Sequence, residues 1–284
     1  MPTIRVVTDS TCDLPDSLVR EYGITVIPVT VQIGSQTYLD RVNLTTDELL
    51  RHIQAGDPRP TTAPPAVAAF EQVYRQLQAN RPCDGIVSIH VSSRLSGTYN
   101  AALMARDAFL SSAFPVGVMD SQAASMGLGL VVLAAARKAA AGGTFSEVMN
   151  AAQRMIHQVH IAFFVDSIES LHRGGRIAKL APGIDTLLPL KPLLRLDEGQ
   201  IVLLERTRTR HKALDPLANF VEDFPHVAAL AVLHCNHTTE IDNLVTRLAL
   251  VCSRERITVV QYGPANTVYL GPGAVGVAVY EGAG

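Results

Sequence analysis

The stretch Ser92-Ser93-Arg94-Leu95-Ser96-Gly97-Thr98 carries the residue types and spacing that point most directly to chemistry. Four hydroxyls and a glycine separate the apolar, β-branched run Ile86 to Val91 from a segment opening on Ala101-Ala102-Leu103-Met104. The first reads as a short buried strand and the second as a helix. A join of this kind feeds unpaired first-turn N–H groups, and the positive end of the helix dipole, to whatever occupies the loop. That is the chemistry of an anion site, open to phosphate and carboxylate alike. A second hydroxyl pair, Thr61 and Thr62, sits in Asp57-Pro-Arg-Pro-Thr-Thr-Ala-Pro-Pro65, where the prolines favour extended backbone. Each hydroxyl taken alone also suits an ordinary cap or turn. Together they describe a neutral, donor-rich pocket, which suits holding a carboxylate better than reacting with it.

Reaction chemistry finds less support. Ser93 or Ser96 as a nucleophile needs a base and an orienting acid. His90 is close in sequence, but on a strand it reads as pointing into the core, and no spacing outlines a triad. A serine-dependent esterase or acyl transferase acting on a small acyl substrate stays as the alternative. The sequence has no Gly-Lys pair, no G-x-S-x-G and no H-E-x-x-H. Gly127-Leu-Gly129 lacks a third glycine and falls inside a helical pattern, which argues against a dinucleotide site. His157-x-x-His160 and His234-Cys-Asn-His237 lack a surrounding carboxylate or thiolate cluster and read as surface or capping residues rather than metal ligands.

The elements that position these residues alternate. Strands are expected over 3–8, 24–33, 86–91 and 115–119, with helices at 15–22, 45–54, 66–78, 98 onward, 125–141 and 144–158. Thr45/Glu48 and Thr144/Glu147 have capping-box spacing. This β-α alternation is the pattern of an α/β fold with a mainly parallel sheet. Past about 158 the pattern changes. A strand at 161–165 and a helical turn at 168–171 lead to a hairpin around Asp197-Glu-Gly-Gln200. A basic run 206–211, a helix 213–223, strands 227–234 and 257–261 around a helix 239–251, and a final strand after Gly271-Pro-Gly273 complete the chain. Two α/β domains are therefore expected, 1–157 and 158–284.

At 284 residues, 48% hydrophobic and 18% charged, with a net charge of −2, the chain can bury a large core. The near-neutral balance and 5% aromatic content argue against a nucleic-acid partner. Cys12, Cys83, Cys235 and Cys252 are scattered and read as free thiols of a reducing compartment. Met1-Pro2-Thr3-Ile4-Arg5 runs straight into a strand, leaving no room for a signal peptide. The longest apolar run, 123–136, is shorter than a membrane span. A cytoplasmic protein is expected, with at most transient membrane contact.

Seven segments in order resemble the DegV family, the fatty-acid-binding proteins of bacteria. They are Val7-Thr-Asp-Ser-Thr-Cys-Asp-Leu-Pro15, Pro60-Thr-Thr-Ala-Pro64, Ser92-Ser-Arg-Leu-Ser-Gly-Thr-Tyr99, Leu171-His-Arg-Gly-Gly-Arg-Ile177, Leu190-Lys-Pro-Leu-Leu194, Arg208-Thr-Arg210 and Gly271-Pro-Gly273. The resemblance implies the EDD fold, with a long-chain fatty acid such as palmitate in a hydrophobic tunnel within or between two α/β domains. By position it assigns the carboxylate to Thr61, Thr62, Ser93, Ser96 and Gly97. It implies no cofactor, no metal and no catalysis by this chain. Its implied partner is a separate ATP-dependent fatty acid kinase subunit related to dihydroxyacetone kinases, to which the bound acid is presented. Arg176, Arg208 and Arg210 are then candidates for phosphate or kinase contact, with a solvated basic hairpin as the alternative. The segments 131–136 and 187–196 are candidate tunnel walls. Two departures bear on the headgroup. Tyr269 stands where the family usually has a histidine, so that position can donate a hydrogen bond but not become cationic near neutral pH. Thr62-Ala63 replaces Ser-Gln, which keeps the hydroxyl and loses the amide.

Overall fold

A computed structural model describes residues 3–80, 82–111, 113–177, 191–207 and 211–282. The first half follows the expected alternation, with one strand broken in two and two short strands added. β1 (Ile4–Asp9) and α1 (Asp16–Glu21) lead to β2 (Thr25–Ile27), and β3 (Thr30–Ile33) follows as a separate strand. The single long strand expected over 24–33 is thus broken at Pro28-Val29. Proline has no N–H for a sheet ladder, so the chain leaves one sheet there and enters another. The added strand β4 (Gln36–Leu39) pairs antiparallel with β3. α2 (Thr46–Ala55) then opens on a complete Thr45/Glu48 capping box.

The proline-braced segment contains β5 (Thr61–Ala63), which pairs with β3 through Val31↔Thr62. α3 (Val67–Ala79), β6 (Gly85–His90), α4 (Thr98–Asp107) and β7 (Val116–Asp120) come next. Two stacked helices follow, α5 (Ser125–Ala140) and α6 (Phe145–Ile156), the latter opening on the Thr144/Glu147 capping box.

The second half runs β8 (Val159–Phe164), α7 (Glu169–Arg173), β9 (Lys191–Asp197), β10 (Gln200–Thr207), α8 (His211–Glu222), β11 (Ala229–His234), α9 (Thr239–Leu248) and β12 (Ile257–Gln261). It closes with α10 (Pro264–Leu270) and β13 (Val275–Tyr280). The sequence gives no reading at α10, which lies between glycines at 263 and 271. Pro264 at its first turn starts it and Gly271, at φ 79°, ends it.

The fold is mixed α/β. Its first sheet is parallel throughout, in the order β2-β1-β6-β7, and draws on residues 4–120. The second, in the order β10-β9-β8-β13-β11-β12, draws on residues 159–280 and is antiparallel except for β11–β12. β4-β3-β5 form a small third sheet. α5 lies between the two large sheets and touches both. That explains why it is apolar all round, with Leu128, Val131, Val132, Ala135 and Ala136 buried. Segment 131–136 is therefore core. The small sheet packs against α10 through Val29, Val31, Ala265 and Val268.

Two buried carboxylates hold α10 in place. Asp13 Oδ1 accepts from the Gly263 N–H at 2.9 Å, and Asp40 Oδ1 accepts from the Ala265 N–H at 2.9 Å. Both use first-turn donors that the helix itself cannot satisfy. Burial raises both carboxyls, Asp13 to about 6 and Asp40 to about 7.

Two predictions follow from these contacts. A Cβ on Gly129 of α5 would lie 2.8 Å from the Cys12 carbonyl and 3.1 Å from Leu14. Helix propensity alone favours alanine by about 1 kcal/mol, but a backbone carbonyl cannot move aside as a side chain can. Gly129→Ala is expected to lose about 1–3 kcal/mol in urea denaturation; an unchanged or raised midpoint contradicts this packing. The second prediction uses pH. A carboxyl whose folded-state pKa is raised binds protons preferentially in the folded state, so its contribution to stability falls as pH rises from about 4 through 7. Asp40→Asn keeps the acceptor for Ala265 and removes the charge. Its stability relative to wild type should improve from pH 4 to pH 8, by at most about 4 kcal/mol. A difference that stays flat across that range in thermal denaturation would contradict the assignment.

Candidate functional site

A cavity with about 770 Å³ of empty space, counted out to its mouth, lies between the two large sheets. Its apolar walls come from distant segments: Val91 and Leu95 after β6, Ile161 and Phe163 of β8, Leu196 of β9 and Ile201 of β10. Val29 after β2, Ala63 of β5, Ala124 before α5, Leu171 of α7, and Ala265 and Leu270 of α10 also line it. Of the expected wall 187–196, Leu196 is placed on the lining, and 187–190 lie outside the described residues.

Polar groups face this space in two places. At one, Thr62 and Tyr269 share a hydroxyl–hydroxyl bond of 2.7 Å. The Arg176 guanidinium lies 4.4 Å from the Tyr269 ring centroid, a cation–π arrangement. Its Nε donates to the Leu95 carbonyl at 3.1 Å and its Nη1 to the Gly174 carbonyl. A Cβ on Gly174 would come within 2.6 Å of the Tyr269 ring, so the Gly-Gly-Arg motif is where backbone must pack flat against tyrosine. Ser96 is the fourth member; its hydroxyl pairs with Thr98 Oγ1 at 2.9 Å and accepts from the Thr98 N–H at 3.3 Å.

The serine loop differs from the open amide cradle that its sequence suggests. Ser92 closes it on itself: its carbonyl accepts from Leu95 and Ser96 N–H, and its hydroxyl accepts from Arg94 N–H. The Ser92 hydroxyl in turn donates to the Gly199 carbonyl of the β9–β10 turn at 2.8 Å. Ser93 N–H is turned to the Asp120 carboxylate at 3.2 Å, and Ser93 lines a separate surface depression with Asp120 and Glu198. Thr61 is exposed on β5 and Gly97 is exposed at the start of α4; neither lies on the cavity wall. Of the positions named from sequence, the structure brings Thr62, Ser96, Tyr269 and Arg176 together. Arg208 and Arg210 lie outside the described residues.

The second polar place comprises Thr11, Ser125 and Asn266, beside Tyr262. Sequence reasoning missed it. Ser125 Oγ and Asn266 Nδ2 both donate to Asp13 Oδ2, at 2.5 and 2.7 Å. Asn266 Nδ2 also donates to the Thr11 carbonyl at 3.0 Å. The only local signal is the Asp-Ser-Thr-Cys-Asp loop after β1; its partners lie more than 100 residues away.

A Ser-His-Asp chain does form, inside the core. Ser88 and His90 occupy one face of β6, and Asp9 ends the neighbouring β1. His90 Nδ1 lies 3.0 Å from Asp9 Oδ2, and its Nε2 lies 2.7 Å from Ser88 Oγ. Asp9 can only accept, so Nδ1–H donates to it. All three side chains are fully buried, and Tyr74 OH donates to Ser88 at 2.8 Å. Asp9 also accepts from Val91 N–H and Thr11, joining strand ends to the cavity wall. His90 points into the core, as its place on the strand suggests, and Ser88 has no path to a substrate.

No group of three His, Cys, Asp or Glu among the described residues is placed to hold a metal ion. The His234 and His237 rings meet edge to face at 5.2 Å, and burial lowers His234. No helix of the described residues is long and apolar enough to cross a membrane.

Comparison with known proteins gives a consistent result. A family model described as "Uncharacterised protein, DegV family" matches residues 3–282. A DegV domain-containing protein of Streptomyces coelicolor is 36% identical over 285 residues, covering 97% of this chain and 98% of its own. One from Mycobacterium tuberculosis is 36% identical over 287 residues, covering 99% and 98%. Among solved structures, a fatty-acid-binding DegV family protein of Thermus thermophilus matches with TM-score 0.87 and 31% identity, over 98% of this chain and 99% of its own. DegV of Bacillus subtilis, a fatty acid binding protein, matches with TM-score 0.84 and 27% identity, over 99% and 100%. The chain belongs to the DegV family.

Proposed function

We propose that this protein binds a long-chain fatty acid such as palmitate, with the acyl chain between the two sheets and the carboxylate at Thr62, Ser96, Arg176 and Tyr269. The observation that carries this reading is an apolar-walled space with a half-buried guanidinium and three hydroxyls at one place on its wall. A sixteen-carbon acid has about fifteen CH₂ or CH₃ groups, so burial at ~0.8 kcal/mol each contributes on the order of 12 kcal/mol before the cost of association. A charge-assisted hydrogen bond adds about 1.5–3 kcal/mol. The chain supplies most of the affinity and the polar group sets direction. Arg176 supplies the positive charge that tyrosine at 269 does not. Thr61, Ser93 and Gly97, assigned by resemblance, have roles here only in shaping the two loops.

The same reading makes residues 1–157 and 158–284 two domains with the ligand between them, working without catalysis in the cytoplasm. The protein would present the carboxylate at the cavity mouth to a separate ATP-dependent kinase, with Arg176 facing the acyl phosphate formed. The fatty-acid-binding relatives in Thermus thermophilus and Bacillus subtilis support the ligand class. Against a serine hydrolase stands the setting of Ser96, whose hydroxyl is bonded to Thr98 rather than to an imidazole.

Native mass spectrometry of the purified protein is expected to show one long-chain fatty acid per chain. Arg176→Gln should weaken palmitate binding by about tenfold to a hundredfold. Ser96→Ala should weaken it less and leave the melting temperature within a few degrees of wild type. Steady turnover of an acyl ester that Ser96→Ala abolishes would sink the binding-protein reading. Acyl phosphate formed by this chain with ATP alone would sink the assignment of phosphoryl transfer to a partner.

A further inference from the structure

The two polar places on the cavity wall differ in hydrogen-bonding character. At Thr62, Ser96, Arg176 and Tyr269 there are hydroxyl protons and a guanidinium. At Thr11, Ser125 and Asn266 the donors are already spent on the protein. Thr11 Oγ1 donates to Asp9 Oδ1 at 2.5 Å, and Ser125 Oγ donates to Asp13 Oδ2 at 2.5 Å. Both recipients are fully buried carboxylates, which when ionised can only accept, so the direction of each bond is fixed. The Asn266 amide has its nitrogen on the Thr11 carbonyl at 3.0 Å and on Asp13 at 2.7 Å. Two acceptors facing that atom identify it as the NH₂ and leave Oδ1 as the remaining group. Oδ1 has no hydrogen-bond partner among the described residues.

What remains toward the cavity is therefore oxygen lone pairs: two hydroxyls with their protons turned away and one amide carbonyl. Ser125 and Asn266 share one carboxylate oxygen and Asn266 binds the Thr11 backbone, so the three form one compact group. A carboxylate, itself acceptor-only, is repelled there. An unsubstituted acyl chain crossing the group would displace water from the acceptors and give nothing back, and an unmade buried hydrogen bond is costly. A hydroxyl on the chain would satisfy them.

Resting on the fatty-acid reading above, we infer that Thr11, Ser125 and Asn266 form an acceptor subsite for a hydroxyl group borne on the acyl chain, so that the cavity favours hydroxylated over unsubstituted fatty acids. The site requires no rearrangement of Asp9 or Asp13.

The test compares stearic acid with a series of monohydroxystearic acids differing in hydroxyl position, by displacement of a fluorescent fatty acid from the full-length protein. At least one isomer is expected to bind about tenfold more tightly than stearic acid. Thr11→Val and Ser125→Gly (the latter suited to a φ of 50°) should each shrink that preference, read as the ratio of the two affinities within the same variant. If no isomer outbinds stearic acid in the wild type, as when a resident water satisfies the acceptors, the subsite is refuted and fatty-acid binding stands. A preference that survives in both variants also refutes it. Failure of stearic acid and of every isomer to bind refutes the fatty-acid reading and this inference together.

Discussion

One carboxylate ties together three elements that wall the cavity. Asp13 sits just past the end of the first parallel strand, fully buried, and accepts from Ser125 at the head of α5 and from Gly263 and Asn266 at the head of α10. These segments meet nowhere near each other in sequence. A buried charge is tolerated only when its acceptor sites are filled, so the geometry of all three is fixed by the requirement to fill them. Asp40 adds a second hold on α10, and Asp9 does the same for Thr11 and the start of the serine loop.

The consequence is a division of hydrogen-bonding labour. Donors gathered by the buried carboxylates are turned inward, while α10 carries Tyr269 to Thr62 and beneath Arg176. On the proposed reading, the ligand is oriented by contrast. One place on the wall offers positive charge and hydroxyl protons, and another offers only lone pairs. The long apolar walls between contribute area without direction.

Much of the framework was legible because it is locally encoded. Both capping boxes formed where Thr45/Glu48 and Thr144/Glu147 announced them, and the β-α alternation predicted the parallel sheet. The break at Pro28 was readable in principle from proline's missing N–H. The site was legible only in part. Only the family resemblance puts Thr62, Ser96 and Tyr269 at one headgroup, since Thr62 and Tyr269 are separated by 207 positions. Arg176 is expected instead at a phosphate or kinase contact, and its place over the Tyr269 ring is not readable from the sequence. The serine loop misled because Ser92 satisfies its amides internally, a choice that its composition does not disclose. Ile161, Phe163, Leu196 and Ile201 look like any strand core until a second sheet stands opposite them. α10, short and framed by glycines, offered too little periodicity to read as a helix.

The most direct measurement is a crystal structure of the protein with a long-chain fatty acid bound. The account predicts continuous ligand density between the sheets along Ile161, Phe163, Leu196 and Ile201. It places the carboxylate within hydrogen-bonding distance of Arg176 and of at least one of Thr62, Ser96 and Tyr269. A carboxylate seated against Thr11 and Asn266, or an acid bound elsewhere with this cavity collapsed, would contradict it.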